Sequence, residues 1–331
     1  MGRVSVAVSR ANQKLSLTLA AGLLAGATLV SSLLGLFRDR LLNANYFDTY
    51  PVGIDAYTVA FTIPDFMFFL LVSGALSVTF IPVFNERLVA GNKKSAWELS
   101  TSMINLMAMT TMIASILIII FADQLVRYVV GPGLDESGHG LAVSMMRVIA
   151  INPFLFAISS VFASMQQAVG RFVFYALAPV FYNIGIIIGI TVFANGITMF
   201  GVQVFEGGIM GVALGVVLGS ILQLIVSACG LIGLGFDYRF KIYWKNYGFR
   251  TVLGLLPARS FDQGIDYFNS IVETNLASRM AAGTVRAYQQ AFTLHMLPIT
   301  LIGVAISTAA FPKMTERLSQ GRPDLFRKEL Q

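Results

Sequence analysis

Five stretches of this chain, residues 15–37, 99–122, 148–170, 207–236 and 287–312, contain no Asp, Glu, Lys or Arg. Each exceeds the ~20 residues needed to cross the hydrocarbon core of a bilayer. In that medium every backbone N–H and C=O must find its partner within the protein, which leaves only helices and closed barrels. These runs are continuously apolar instead of alternating, so they read as helices. Residues 172–205 hold another span with its exit loop, residues 57–84 are interrupted only by Asp65, and residues 251–278 carry several charges. The count is eight candidate helices. Only 12% of the chain is charged, against roughly 25% in soluble domains. The expected fold is an all-α polytopic membrane protein.

Lys and Arg set the expected orientation. With the N-terminus inside, the cytoplasmic segments hold sixteen basic residues and the outer loops five, namely Arg38, Arg40, Arg127, Arg279 and Arg286. This bias puts both ends on the cytoplasmic side and accounts for the net charge of +6 without a nucleic-acid partner. Residues 1–14 are basic, and the apolar run after them is too long for a signal-peptide core, so the first helix is read as retained. Cys229 is the sole cysteine, which excludes an intramolecular disulfide and a Cys-based metal site. His139 and His295 have no ligand spacing, and no metal is expected.

The chain also repeats itself. Ala56, Tyr57, Ala60, Phe61 and Thr62 coincide with Ala287, Tyr288, Ala291, Phe292 and Thr293 at one offset. After a one-residue slip, Ala75, Ser77, Pro82, Glu86, Arg87 and Leu88 match Ala305, Ser307, Pro312, Glu316, Arg317 and Leu318. Helix eight thus echoes helix two. Six helices precede the restart, so two same-orientation halves are expected around a central site. The division is a six-helix lobe over residues 1–235, a cytoplasmic linker over 236–250, and over 251–331 the first two helices of a repeat-related second lobe. A complete second lobe would need six, so the chain reads as truncated. The glycines at 207, 208, 211, 215 and 219 predict close helix packing.

Polar residues within the spans point to the chemistry. On helix seven Arg259, Asp262, Asp266, Asn269 and Glu273 recur every three or four residues, within an arc of roughly 80°. A charge at the bilayer centre costs at least ~2.5–3.5 kcal/mol, so this stripe must face protein or water. It is either a set of internal salt bridges or a face that couples transport to a cation or proton. Helix two carries Asp55, Thr58, Thr62 and Asp65, with Pro64 as an expected kink that frees carbonyls for a cavity. The related positions on helix eight are Arg286, Gln289, Thr293 and Met296, with Pro298 as the kink. Thr58, Thr62, Gln289 and Thr293 are therefore candidate cavity-lining residues. Asp65, Asp262, Asp266, Asn269 and Glu273 are candidates for coupling to sodium, protons or membrane potential. Arg38 and Asp39 fall at the end of the first helix, and Arg147 needs a partner, sought on helix seven.

Together, Ser31-Ser32-Leu33-Leu34-Gly35-Leu36-Phe37-Arg38-Asp39, then Asp55-Ala56-Tyr57, Val59-Ala60-Phe61, Ile63-Pro64-Asp65 and Gly74-Ala75-Leu76-Ser77, resemble the MurJ/MviN family of lipid II flippases. Gly170-Arg171-Phe172, Ala178-Pro179 through Asn183, and Leu297-Pro298 through Gly303-Val304-Ala305 extend the resemblance over nearly the whole chain. It implies the fold of the multidrug/oligosaccharidyl-lipid/polysaccharide exporter superfamily, with two six-helix lobes working by alternating access in the bacterial cytoplasmic membrane. It implies no enzymatic activity and no catalytic residues. The implied substrate is an undecaprenyl-pyrophosphate-linked peptidoglycan precursor moved from the inner to the outer leaflet. Membrane lipids and cell-wall synthesis proteins are the implied partners, and no cofactor is implied. Arg38, Asp39 and Asp55 match polar positions near the family's cavity, and Arg259 could add a further cation. The chain departs from the family pattern where Ser32, Phe68 and Thr293 stand in place of common cavity arginines, which weakens a site built for a pyrophosphate. A cation-coupled drug exporter of the same superfamily fits the acidic stripe better and the arginines worse. A membrane enzyme acting on polyprenyl phosphates would need paired aspartates that the chain lacks.

Overall fold

The computed structural model describes residues 17–73, 76–199 and 202–299. The first helix, α1 (Leu17–Tyr46), runs more than two turns beyond Phe37. Arg38 and Asp39 therefore lie inside a helix, where the sequence reading had its end. The second span opens with α2 (Pro51–Phe68), has Pro51 at its first position, and passes Pro64 while still helical. The distortion comes one turn later, in two wide π-helical stretches, Phe69–Ser73 and Leu76–Phe80, before α3 (Ile81–Val89). Such widened turns recur at functional sites.

Helix α4 (Lys93–Gln124) starts on an Asn92 cap and continues through a wide turn at Leu125–Val130. The fourth span is split at residues 150–151 into α5 (Glu136–Ile149) and α6 (Asn152–Ala168). His139 lies in the first turn of α5. Then come α7 (Val173–Thr191) and α8 (Ile209–Cys229), joined by a small antiparallel hairpin of β1 (Ile197–Met199) and β2 (Val202–Phe205). Among the described residues this hairpin is the exception to an otherwise helical fold. The seventh helix, α9 (Tyr247–Ser278), is continuous over 32 residues, and α10 (Thr284–Pro298) follows. Among the described residues six helical stretches are long and apolar enough to cross a membrane, the last being α8. Helix α9 falls outside that set because of its charges.

One compact unit ends at Val285, so it includes α9; a second begins at Arg286. In the first unit two apolar cores are stacked along the helices. One gathers Leu42, Ile54, Tyr57, Ile118, Met146 and Val212. The other gathers Phe80, Phe84, Leu99, Met103, Met165 and Phe249.

The expected glycine packing is present for three of the five residues. Gly219 meets Gly185, Gly215 meets Gly189, and Gly211 lies against the backbone of Phe193 and Ala194. A Cβ added at Gly189 would lie 2.6 Å from the Gly215 Cα. Because the obstacle is backbone, the helices themselves would have to part. Gly215→Leu is expected to destabilise the α7–α8 pair by roughly 1–3 kcal/mol or more, read as a lower melting temperature in detergent. An unchanged melting temperature would show that this contact is dispensable.

Candidate functional site

Ser31, Gly35 and Arg38 lie four and three residues apart on α1 and share the face turned to α7. The Arg38 guanidinium donates from Nε and Nη2 to Asp39 Oδ1 at 3.2 and 3.1 Å, and from Nη1 to Asn183 Oδ1 at 3.1 Å. The Asn183 Nδ2 donates in turn to Ser31 O and Oγ, both at 3.2 Å, and to Pro179 O at 3.1 Å. Gly35 faces this amide, whose Oδ1 would sit in ordinary contact, 3.8 Å from an added Cβ. Asp39 is buried, while 24% of the Arg38 side chain stays accessible. Tyr57 and Tyr182 also lie within electrostatic reach of the guanidinium. The arrangement holds one cation inside the protein, fixed by two helices and partly open to a ligand. Its charge is balanced by Asp39.

Beside it lies an aromatic wall. Phe68 packs edge-on against Phe69 and Phe156, with centroids 5.2 and 5.6 Å away, and Phe156 packs on Tyr182 at 5.3 Å. Phe69 stacks on Tyr267 of α9 at 3.7 Å. Phe68 stands where the resemblance would put an arginine, and its surroundings are those of an apolar ring. Asp65, one turn before Phe69, is surrounded by protein yet partly accessible, and it lies within electrostatic reach of Tyr182. An anion entering here would meet Arg38, two acids and several aromatic faces.

Asp55 has a different setting. It is buried, and its Oδ2 accepts the backbone N–H of Gly283 at 2.7 Å, 228 residues away. Gly283 has φ of +90°, a conformation that favours glycine, and it immediately precedes α10. The carboxylate therefore takes one of the otherwise unpaired donors at a helix start, where a negative charge is favoured. The helix carrying Asp55 and the helix it caps are the two related by the internal repeat. Asn275 Nδ2 donates to Val129 O at 2.7 Å, and the Gly133 N–H donates to Ser278 Oγ at 3.3 Å. These three contacts fasten the last turn of α9 and the start of α10 to the first six helices at one end.

The stripe on α9 is only partly within view. The side chains of Arg259, Asp262 and Asp266 lie outside the described residues. Asn269 is exposed, and Glu273 is partly exposed. Neither has a hydrogen bond or ion pair to another described residue. They share the uncovered face of α9 with Ile265, Phe268, Val272 and Leu276, each more than 40% exposed. The opposite face packs inward, with Gly264 against Leu70. Among the cavity candidates, Thr58 donates to Ile54 O and Thr293 to Gln289 O, both at 2.9 Å, so each hydroxyl serves its own helix. Thr62 is partly buried.

Several partners differ from the sequence reading. Arg147 donates to Ile119 O on α4 at 3.3 Å, and among the described residues no acid of α9 pairs with it. His139, with no partner in the sequence reading, meets Asp123 Oδ1 at 2.8 Å through Nε2. Asn183, Asn275, Ser278 and Gly283 carry the interhelical contacts and were not singled out as site residues. Asn183 alone had a signal, as part of the Ala178-Pro179 motif.

Comparison with known proteins is consistent across three measures. A family model described as lipid II flippase MurJ matches residues 44–331. Curated relatives named probable lipid II flippase MurJ include one from Bdellovibrio bacteriovorus, 29% identical over 92% of this chain and 57% of its own length. Another, from Rickettsia prowazekii, is 22% identical over 89% and 56%, and one from Thermotoga maritima is 26% identical over 87% and 55%. The chain therefore spans little more than half the length of these relatives. A solved MOP superfamily transporter from Pyrococcus furiosus has the same fold, with a TM-score of 0.63 and 18% identity over 94% of this chain and 66% of its own.

Proposed function

The chain belongs to the MurJ family of lipid II flippases, and from that membership we propose that it supplies the first lobe of a flippase for a lipid-linked peptidoglycan precursor. The precursor's pyrophosphate headgroup enters from the inner leaflet of the bacterial cytoplasmic membrane, contacts Arg38 and Arg259, and leaves outward as the lobes rock. The N-terminus is cytoplasmic, as the Lys and Arg distribution favours. Asp39 and Asn183 hold Arg38 in place for the substrate. Asp55 keeps the outer end closed by capping Gly283. Asp65, Asp262, Asp266, Asn269 and Glu273 form the coupling face for sodium, protons or membrane potential. Cell-wall synthesis proteins are the partners that would draw on the product.

The observation that carries this reading is Arg38 itself. A guanidinium 24% accessible within the bundle, with three donors placed and the others free, is a headgroup contact held ready for an anion. Native mass spectrometry of the purified protein with lipid II and phosphatidylglycerol in competition tests it. Selective retention of lipid II is expected, and equal retention of both lipids would end the assignment.

A second reading has its own observation. Asp65 beside Phe68, Phe69 and Tyr182 offers a carboxylate and aromatic faces to an organic cation, as in a cation-coupled exporter. The same competition, run with an organic cation, separates the two. Asp65→Asn should abolish cation retention if this reading holds, and should leave lipid II retention intact on the flippase reading. For coupling, replacing Asp262 and Asp266 by Asn is expected to change how transport depends on pH or sodium. An unchanged dependence would remove those residues from the coupling face.

A further inference from the structure

The segment between α8 and α9 is not a loose linker. Tyr238 donates its hydroxyl to Asn105 Oδ1 at 2.6 Å, and Asn105 Nδ2 donates to the carbonyls of Arg239 and Lys241, both at 3.0 Å. The Tyr243 N–H donates to Ser102 Oγ at 2.8 Å, and Asn246 Nδ2 to Ser95 O at 3.0 Å. Asn246 then caps α9 through Phe249 N–H at 3.1 Å. Residues 236–250 thus form a strap tied along the first part of α4, and they satisfy polar side chains of that helix.

The strap's outer side is of a different kind. Phe240 is 91% exposed, Tyr247 72% and Trp244 56%. Arg239, Lys241, Lys245 and Arg250 are exposed among them. The one acid of the segment, Asp237, is held by Arg239 at 3.0 Å. Trp244 and Tyr247, each with an apolar ring and one polar edge, and the apolar ring of Phe240, interleaved with cations, match the headgroup layer of a membrane. The helical stretch Lys93–Val130 has 38 residues, about 57 Å at 1.5 Å per residue, well over the ~30 Å hydrocarbon core, so its first turns, where Ser95 accepts from Asn246, extend past the apolar layer.

We propose that the outward face of this strap is a docking surface for anionic lipid headgroups, with Lys241 and Lys245 supplying the charge and Phe240 and Trp244 the interfacial anchor. It rests on the orientation above only in assigning the surface to the cytoplasmic leaflet. The surface holds the start of α9 at the membrane.

The chain has two tryptophans, and Trp97→Phe leaves Trp244 as sole reporter. This variant is placed in nanodiscs of phosphatidylcholine containing a minor fraction of brominated phosphatidylglycerol or of brominated phosphatidylcholine. Brominated phosphatidylglycerol is expected to quench Trp244 roughly two-fold more strongly. Adding Lys241→Gln and Lys245→Gln should equalise the two lipids. Equal quenching before those changes, a preference that survives them, or no quenching by either lipid would each overturn the proposal. If Trp97→Phe fails to fold, the difference in quenching between wild type and Trp244→Phe reads the same quantity. Both leaflets of a nanodisc are alike and no precursor is present, so a negative result leaves the orientation and the flippase reading standing.

Discussion

Arg38→Ala is expected to abolish selective lipid II retention and to lower the melting temperature. The two effects have separate causes. Removing the guanidinium takes away the cation that balances Asp39, a buried carboxylate, at 3.1 Å. Breaking a buried pair from one side costs roughly 3–5 kcal/mol, and the accessible quarter of Arg38 places this case at the lower end. The Arg38→Ala/Asp39→Ala double variant should recover most of that stability, because the carboxylate leaves together with its counter-charge. It should not recover binding, since the headgroup contact is still missing. If the double variant retains lipid II as wild type does, Arg38 is a structural residue and its role in substrate recognition is lost.

The second large effect concerns the far end of the bundle. Asp55→Ala removes the acceptor for Gly283 N–H and leaves a buried donor unpaired, a loss of about 1.5–3 kcal/mol for a bond to a charged group. Asn275 and Ser278 remain, so local opening is expected, not unfolding. Val285, 2% exposed two residues after Gly283, is the place to detect it. In a Cys229→Ser background, Val285→Cys should react slowly with a membrane-impermeant maleimide and several-fold faster once Asp55→Ala is added. Asp55→Asn keeps an acceptor oxygen and should fall between. An unchanged rate in Asp55→Ala would show that the carboxylate does not hold this end closed.

The helical spans were legible in the sequence because the bilayer leaves so little freedom. A charge-free run above ~20 residues has one economical solution, and α4, α7 and α8 lie where those runs predicted. Their ends were less legible. The first helix continues past Arg38 because Asp39 and Asn183 satisfy the guanidinium inside the bundle, and no local pattern announces a partner 145 residues away. Helix α9 is unbroken although its charges keep it out of the apolar set. The repeat was visible as matching letters, and α2 and α10 begin within a few residues of equivalent positions.

By itself, then, the sequence determined the class of fold, the places of the apolar spans up to α8, and the residues from which a site could be drawn; it counted eight spans where six among the described residues are long and apolar enough. Membrane physics acts on composition over lengths of twenty residues, so those properties survive without coordinates. Only the tertiary structure decided what each polar residue does. Asp39 became the counter-charge of Arg38 and Asp55 the cap of Gly283. Phe68 became part of an aromatic wall, and the basic linker a strap along α4. Each of these roles is set by a partner distant in the chain. Hydrogen bonds and ring contacts act over a few ångströms, a range that sequence spacing encodes only within one helix.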